Sequence, residues 1–348
     1  MVDRPLNTRA VANAPKRVLL LGATGTIGQA TRQALLARGH AVLSVVRRAS
    51  TGAPGARPDA AADASLGVAT ELCVGDLSQA QALATALSTL PAAAARFDVL
   101  VSCMASRSGV PHDAWAVEHR AQSHALQAAR AAGVQQVVLL SALCVQKPRL
   151  AFQHAKLAFE RELIDSGLTH SIVRPTAFFK SLSGQVAGVQ QGKPFWLFGD
   201  GRLTACKPIA DADLAEYLVD CIADASRHDR VLPIGGPGPA ITPREQGDKL
   251  FELLGRKPRY RSAPAGLLAG VGAVLGNAGR VWPAWAAKAE LARIGHYYAT
   301  ESMLVWDAAQ QRYDAAATPS TGRQTLFDFY AQLLRGEASV DRREHAVF

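Results

Sequence analysis

Residues Arg17–Gly28 read RVLLLGATGTIG, and this stretch decides the fold. Its first part is a short apolar run ending in glycine, which is typical of a buried strand. Apolar residues at helical spacing follow from Thr26 to Ala37, and Gly39 ends that helix. A second apolar strand is predicted over residues 41–46. The stretch therefore predicts a strand–turn–helix–strand unit.

The same alternation continues to residue 174. Further strands are predicted over residues 71–74, 97–102, 136–141 and 169–173, with helices over 79–90, 114–132 and 152–166 between them. Apolar strands that alternate with helices form a parallel sheet covered on both faces, with right-handed crossovers. We therefore expect an α/β fold built on a doubly wound parallel Rossmann sheet.

Three glycines of the first stretch fit a turn that binds the phosphates of a dinucleotide. The first permits the tight turn, the second lets the backbone approach a pyrophosphate, and the third lets the helix pack closely on the sheet. Backbone N–H groups at the helix start then face the phosphates. The cofactor-binding residues predicted here are Gly22, Thr24, Gly25, Thr26, Ile27 and Gly28. A packing turn without a ligand is the alternative.

The end of the second predicted strand indicates which cofactor is bound. Arg47 lies 19 residues beyond Gly28, and Arg48 follows it. An NAD enzyme usually has a carboxylate near this position, whereas an arginine suits the 2′-phosphate of NADP. NADPH is therefore the expected cofactor, and a solvated strand end is the alternative.

Further cofactor contacts are expected at the carboxyl ends of other strands, where ligands of such sheets bind. Asp76 and Leu77 follow the third predicted strand, and Asp76 either contacts the adenine or caps a turn. The remaining predicted contacts follow the later strands and are Cys103, Ala105, Ser141, Lys156, Pro175 and Thr176.

The chain divides into three predicted parts. Residues 1–15 are expected to be a disordered lead, and residues 16–180 form the NADP-binding Rossmann domain. Beyond residue 180 the pattern is irregular, so residues 181–348 are expected to form a smaller, partly irregular C-terminal lobe for the substrate. A strand over 205–209 and a helix over 211–225 indicate that elements around 205–235 return to the sheet.

Charge, cysteine and histidine content exclude several function classes. The net charge is +9, but eight basic residues and one acidic residue lie in the first 48 positions, so no nucleic-acid partner is expected. The five cysteines include no CxxC pair and the nine histidines no HxxxH pair. Neither a disulfide framework nor a metal site is therefore predicted, and a reduced, cytoplasmic setting is expected.

An uncharged stretch, SAPAGLLAGVGAVLGNAG, covers residues 262–279. It approaches the minimum length of a membrane span, about 18 residues. However, it contains Pro264, Asn277 and five glycines. We expect a buried or interfacial helix, with peripheral membrane contact as the alternative. Trp282 and Trp285 extend this apolar segment, which is also a candidate lid.

The glycine spacing GxxGxxG resembles the extended and atypical branches of the short-chain dehydrogenase/reductase superfamily. In that superfamily the fifth strand ends in a serine, and the next helix carries Tyr-x-x-x-Lys. Here Ser141 ends the fifth predicted strand, and the helix carries Phe152 and Lys156 at the two positions. Because phenylalanine cannot exchange a proton with a carbinol oxygen, simple ketone reduction is disfavoured.

Two segments resemble the NADPH-dependent 3,8-divinyl chlorophyllide 8-vinyl reductases of phototrophs. They read QKPRLAFQHAKLAFE over residues 146–160 and SIVRPTAFFKSL over residues 171–182, and the resemblance runs from about residue 16 to about residue 335. It implies reduction of a C=C bond in a magnesium-bearing tetrapyrrole, with Lys156 as the catalytic residue that holds the nicotinamide ribose. Charge formed on a conjugated vinyl group spreads into the macrocycle, so the missing tyrosine is tolerable.

A flat tetrapyrrole with a propionate needs apolar walls and a cation. Phe152, Phe178 and Phe179 are the candidate walls, and Arg174 and Lys180 are the candidate partners of the propionate. Ordinary core and structural roles are the alternatives for all five. His154 is a weaker candidate for a magnesium ligand.

Two other functions stay open at this point. One is a double-bond reductase of the isoflavone-reductase type that acts on soluble phenolics. The other is a non-catalytic NADPH-sensing or assembly protein, which the absence of the tyrosine favours. The preferred pigment and the oligomeric state cannot be inferred from the sequence.

Overall fold

A computed structural model describes residues 14–47, 69–278 and 283–339. The strands, in chain order, are β1 (Arg17–Leu21), β2 (Ala41–Arg47), β3 (Ala69–Val74), β4 (Val99–Ser102), β5 (Gln136–Leu140), β6 (Thr169–Pro175), β7 (Phe195–Phe198), β8 (Arg230–Ile234), β9 (Tyr260–Ala263), β10 (Val305–Asp307) and β11 (Arg312–Asp314). The predicted lead lies mostly outside the described residues, as do Arg48 and Trp282.

The helices are α1 (Thr26–Ala37), α2 (Ala82–Ser88), α3 (Pro111–Ala114), α4 (Gln122–Ala131), α5 (Ala151–Asp165), α6 (Phe179–Leu182), α7 (Val186–Gln190), α8 (Asp211–Ala223), α9 (Pro243–Leu253), α10 (Gly266–Ala278), α11 (Pro283–Thr300) and α12 (Leu326–Arg335). A π-helical segment, Trp115–Ala121, joins α3 to α4. Within the described ranges no helix is long and apolar enough to cross a bilayer.

The central sheet has seven parallel strands in the order β3-β2-β1-β4-β5-β6-β8. Alternate residues of β1 enter two separate cores. Leu19 and Leu21 pack with side chains of α4 and α5, whereas Val18 and Leu20 pack with those of α1 and α8. Helices therefore cover both faces, which confirms the doubly wound Rossmann sheet.

The second half of the chain supplies one strand of this sheet. β8 pairs with β6 from Ser171↔Arg230 to Pro175↔Ile234. The strand predicted over residues 205–209 is wrong, because Cys206 and Ile209 form only isolated bridges. These bridges connect residue 206 to residues 241 and 303, so this segment joins parts of the lobe rather than extending a ladder.

The C-terminal lobe has its own core. Phe195, Leu250, Tyr297 and Tyr330 belong to it, together with Cys144 and other residues that precede the predicted boundary at 180. The Tyr330 hydroxyl donates to the Leu182 carbonyl over 2.7 Å, which ties α12 to α6. The lobe is therefore packed against the carboxyl-end side of β5 and β6, and the boundary itself stays a prediction.

Candidate active site

The glycine loop lies between β1 and α1, and two of its glycines have no room for a side chain. Gly22 has a φ of +72°, and a Cβ there would lie 2.6 Å from the carbonyl carbon of Cys103. A Cβ on Gly28 would lie 2.0 Å from the Gly22 oxygen. Gly25 has space, with its nearest neighbour at 3.5 Å. The loop is thus tightly packed at Gly22 and Gly28, and it leaves space at Gly25.

The start of α1 fits a bound anion. Gly25 caps the helix without a side-chain hydrogen bond, and the first turn contains no acidic residue. The N–H groups of this turn and the positive end of the helix dipole are available to a diphosphate. The residues present therefore fit the phosphate groups of a dinucleotide.

Lys180 lies at this loop. Its Nζ donates to Thr26 Oγ1 over 3.2 Å, and both residues line a cavity of about 320 Å³ with Thr24 and Asp211. Burial raises the pKa of Asp211, and the nearby Lys180 charge opposes that shift. The ammonium thus lies beside the predicted phosphate site, so a contact with the substrate propionate stays a prediction.

Arg47 and Asp76 lie at the same edge of the sheet as the glycine loop. Val45 is the register partner of Leu21, so the exposed Arg47 lies two residues beyond the end of β1. The Asp76 carboxylate accepts from Ser78 Oγ and N–H over 2.7 and 2.9 Å, which lowers its pKa, and Arg47 adds to the effect. Asp76 therefore caps a turn within the field of Arg47, and Leu77 is buried beneath it.

Cys103 contributes its backbone to the site. Its thiol is buried, lies 3.7 Å from Thr31 Oγ1, and has a pKa that burial raises to about 12. The thiol therefore stays protonated at neutral pH, while the Cys103 carbonyl packs against Gly22. Ala105 follows at the surface, where the chain leaves β4.

Lys156, on α5, forms a buried ion pair. Its Nζ lies 2.8 Å from Glu118 Oε2, and the two side chains are only 10% and 2% exposed. Glu118 Oε1 accepts from the N–H and Oγ of Ser106 over 2.8 and 3.1 Å. Among the described residues, Glu118 Oε2 has no hydrogen bond in addition to this ion pair. Glu118 therefore holds the ammonium beside the chain that follows β4.

Ser141 and Arg174 meet at a third residue, Glu160. The Ser141 hydroxyl donates to Glu160 Oε1, and the Arg174 guanidinium binds both carboxylate oxygens of this buried glutamate. These contacts tie the ends of β5 and β6 to α5. Roles of Ser141 at the cofactor and of Arg174 at the propionate stay predictions, since both polar groups have this structural partner.

Pro175 and Thr176 connect the sheet to the lobe. Pro175 ends β6 and is buried. The Thr176 N–H donates to the Ile234 carbonyl over 2.9 Å, and its hydroxyl donates to the Lys207 carbonyl. Both residues therefore lie at the carboxyl edge of the sheet, with the polar groups of Thr176 used in packing.

The three candidate aromatic walls have different surroundings. Phe179 is buried, with its ring 5.5 Å from that of Phe329 in the lobe core. Phe178 packs against the sheet core and forms a bridge with Ile209. Phe152 is partly exposed, so it has apolar surface left to offer a ligand. His154 is exposed on the same helix.

α11 covers the region in front of Phe152. A Cβ on Gly109 would lie 2.8 Å from Ile294 Cδ1 and 3.9 Å from Phe152 Cδ1. One helical turn beyond Ile294, the Tyr298 hydroxyl lies 3.9 Å from Cys144 Sγ. Burial raises the pKa of Tyr298 well above its ordinary value. A tyrosine hydroxyl therefore reaches the segment after β5 from a different helix than the superfamily pattern requires.

The same thiol connects Tyr298 to Lys156. Burial raises the pKa of Cys144, while Gln153, Tyr298 and the charge of Lys156 oppose that shift. The Lys156 charge thus acts to lower the pKa of the thiol that the Tyr298 hydroxyl contacts. Glu118, Glu160 and Tyr298 were missed in the sequence, where no local motif marks them.

Comparisons with known proteins agree with this geometry. The profile of a family described as NAD(P)H-binding matches residues 22–225. A Cucumis sativus protein named divinyl chlorophyllide a 8-vinyl-reductase, chloroplastic, is 45% identical over 345 residues, which are 97% of this chain and 81% of that protein. The chain belongs to the divinyl chlorophyllide a 8-vinyl-reductase family.

A second 8-vinyl-reductase relative, from Oryza sativa subsp. indica, is 46% identical over 98% of this chain and 84% of its own length. Among solved structures, the NADPH-dependent quinone oxidoreductase QOR2 of Escherichia coli, complexed with NADPH, is 20% identical. It matches 91% of this chain and 99% of its own, with a TM-score of 0.60, and shows the shared fold. Family membership and the glycine loop together identify a nicotinamide cofactor.

Proposed function

We propose that this chain reduces the 8-vinyl group of 3,8-divinyl chlorophyllide a, or of divinyl protochlorophyllide, to an ethyl group with hydride from NADPH. The observation that carries the proposal is the buried Lys156–Glu118 pair, in a chain of the 8-vinyl-reductase family that also has the open glycine loop. It makes the chain an oxidoreductase that acts on a C=C bond.

The reaction needs one hydride and one proton. NADPH, when bound, would supply the hydride to the terminal vinyl carbon, and the inner carbon would take up the proton. Negative charge formed between these steps spreads into the macrocycle, so no oxyanion needs a strong acid beside it. Lys156 holds the nicotinamide ribose and fixes the direction of transfer, and Glu118 keeps the ammonium in place.

The proton donor that we propose is the Tyr298 hydroxyl. It approaches Cys144, whose pKa the Lys156 charge also affects, and its hydrogen-bond partner among the described residues is this thiol at 3.9 Å. A thiol is a weak acceptor, so this hydroxyl keeps its capacity to donate to a substrate carbon. Phe152 and Ile294, which border Gly109, supply the apolar wall for the ring.

The preference for NADPH rests on Arg47. Its side chain is exposed at the carboxyl end of β2, the position at which a 2′-phosphate is bound in this fold. Arg47→Glu should raise the KM for NADPH at least about ten-fold while the KM for NADH changes less, because a carboxylate repels phosphate but accepts from a 2′-hydroxyl. Equal effects on both cofactors would contradict this assignment.

The deciding experiment mixes the full chain with NADPH and 3,8-divinyl chlorophyllide a and separates the pigments by HPLC. We expect the 8-ethyl product with NADPH and little with NADH. If no product forms while fluorescence titration shows NADPH binding, the proposed reaction is wrong for this pigment. The same assay with divinyl protochlorophyllide then tests the second substrate.

A further inference from the structure

A long segment of the C-terminal lobe carries basic charge without acidic residues. Between Glu252 and Glu290 the sequence contains six basic and no acidic residues. Glu252 pairs with Lys249, and the buried Glu290 pairs with Arg293. The two bounding carboxylates therefore have partners of their own, and the charge of the segment stays unbalanced.

Four of the six basic residues form a short basic segment directly before α10. They are Arg256, Lys257, Arg259 and Arg261, and all four are exposed. Arg256 and Arg259 donate to main-chain carbonyls of residues 189–192, which fixes their position on the surface. None of the four forms an ion pair with another described residue. The segment therefore presents a fixed cationic surface to an anionic partner.

α10 presents apolar side chains to solvent. Its Gly272 and Gly276 pack against α11, where Arg293 lies 3.5 and 3.0 Å from the positions of their missing Cβ atoms. Leu267, Val271 and Val274 lie on the opposite side of the helix, and are 54%, 40% and 70% exposed. One side of α10 is thus buried, and the other is an uncovered aliphatic face.

Two exposed tryptophans accompany this face and the basic segment. Trp196 on β7 is 51% exposed, and its register partner on β9 is Arg261, whose guanidinium lies 5.8 Å from the indole centre. Trp285 on α11 is 43% exposed, with the Lys288 ammonium 5.7 Å from its ring. Tryptophan beside lysine or arginine is typical of protein surfaces at the headgroup level of a membrane.

We propose that α10 lies in the headgroup layer of an anionic lipid bilayer, with Leu267, Val271 and Val274 toward the acyl chains and the basic segment on lipid phosphates. A helix of this length covers about 20 Å and is too short to span the hydrocarbon core. An uncharged aliphatic face next to cations is the pattern of interfacial helices, and charge selects anionic lipid over neutral lipid. Binding to a protein partner without a negatively charged surface would not require the excess of basic residues in this segment. The inference does not depend on the proposed reaction.

The test is flotation of the full chain with vesicles of phosphatidylcholine alone or mixed with phosphatidylglycerol. We expect binding to the mixed vesicles, weak binding to the neutral ones, and release by high salt. Val271→Asp/Val274→Asp should lower binding at least about ten-fold. Lys257→Glu/Arg261→Glu should lower it by roughly five-fold or more for each charge removed. Ile164→Asp, at a 44% exposed aliphatic position on α5, is the matched control and should bind as wild type.

The outcomes separate three cases. Equal binding to both vesicle types, or full binding by the Val271/Val274 double variant, would overturn the proposal. Concentration-dependent dimerisation in light scattering that this variant abolishes would assign the face to a second copy of the chain, and would also overturn it. Conversion of detergent-solubilised pigment should be unchanged in these variants, so failure of the membrane proposal is distinguishable from failure of the proposed reaction.

Discussion

Replacement of Lys156 by methionine should reduce both stability and activity, and a second substitution should restore only the stability. The Lys156 ammonium lies 2.8 Å from Glu118 Oε2, in a site where both side chains are almost completely buried. Removal of one partner from a buried ion pair leaves an uncompensated charge and typically costs about 3–5 kcal/mol. Lys156→Met keeps an unbranched side chain that is only one heavy atom shorter, so most of this cost comes from the unpaired charge of Glu118.

The double variant Lys156→Met/Glu118→Gln removes that charge. A glutamine at position 118 retains an oxygen that can accept from the Ser106 N–H, now 2.8 Å from Glu118 Oε1. We expect the free energy of unfolding of the double variant to return to within about 1 kcal/mol of wild type. Because Lys156→Met should cost about 3–5 kcal/mol and the double variant at most about 1 kcal/mol, the coupling energy between the two positions should be at least about 2 kcal/mol.

Urea unfolding followed by circular dichroism measures the stability of the four proteins in this cycle, and HPLC measures pigment conversion. Conversion should be about 100-fold slower in both variants that lack Lys156, because the cofactor ribose loses the group that positions it. If the double variant recovered both stability and activity, Lys156 would have a structural role only. If Lys156→Met were as stable as wild type, the conclusion that the Lys156–Glu118 pair is buried would be wrong.

Three further substitutions test other parts of the site. Gly28→Ala should weaken NADPH binding at least about ten-fold in a fluorescence titration, or prevent folding, because the added Cβ would lie 2.0 Å from the Gly22 oxygen. The control is Gly75→Ala, whose added Cβ would have no atom within 4 Å, and this variant should bind NADPH as wild type does. Tyr298→Phe should slow single-turnover conversion about 100-fold with cofactor binding unchanged, and normal conversion would assign the proton to water. The Glu301 carboxylate, directly after α11, accepts from Lys147 Nζ over 2.7 Å and from the Tyr313 hydroxyl, and Arg149 pairs with it over 2.9 Å. Burial raises the pKa of Glu301, but these partners outweigh burial and lower it. Its stabilisation is therefore present above its unfolded pKa of 4.5 and is lost as pH falls through the lower folded pKa. Glu301→Gln should thus lower the free energy of unfolding, measured with urea, by about 2 kcal/mol at neutral pH and by less in acid. An equal loss of stability at the two pH values would contradict this expectation.

The elements of the sheet were predictable because their signals are local. The apolar run of β1, the glycine turn and the helical spacing of α1 all lie within 21 consecutive residues. Parallel order then follows from alternation and the handedness of crossovers. The strand predicted over 205–209 failed for the opposite reason, since its bridges reach residues 241 and 303 and depend on how the lobe packs.

The side-chain partners at the site were not predictable from spacing. Lys180 meets Thr26 across 154 positions of sequence, and Tyr298 meets Cys144 across another 154. Arg174 and Ser141 share Glu160 because β5, β6 and α5 converge there, and the sequence shows only three separated polar residues. Lys156 was found because its spacing from Phe152 fits a motif, but its partner Glu118 has no such marker.

α11 connects the two proposals physically. One part of this helix reaches the candidate site, where Ile294 borders Gly109 and Tyr298 approaches Cys144. Another part of α11 packs against α10, because the glycines of α10 allow the two helices to approach closely. The uncovered aliphatic face of α10 is therefore separated from the candidate site by α11. A tetrapyrrole is largely apolar and flat, and a membrane surface would concentrate it next to that layer. We therefore assign both substrate delivery and the proton donor to this lobe, which was the part of the fold hardest to predict from the sequence.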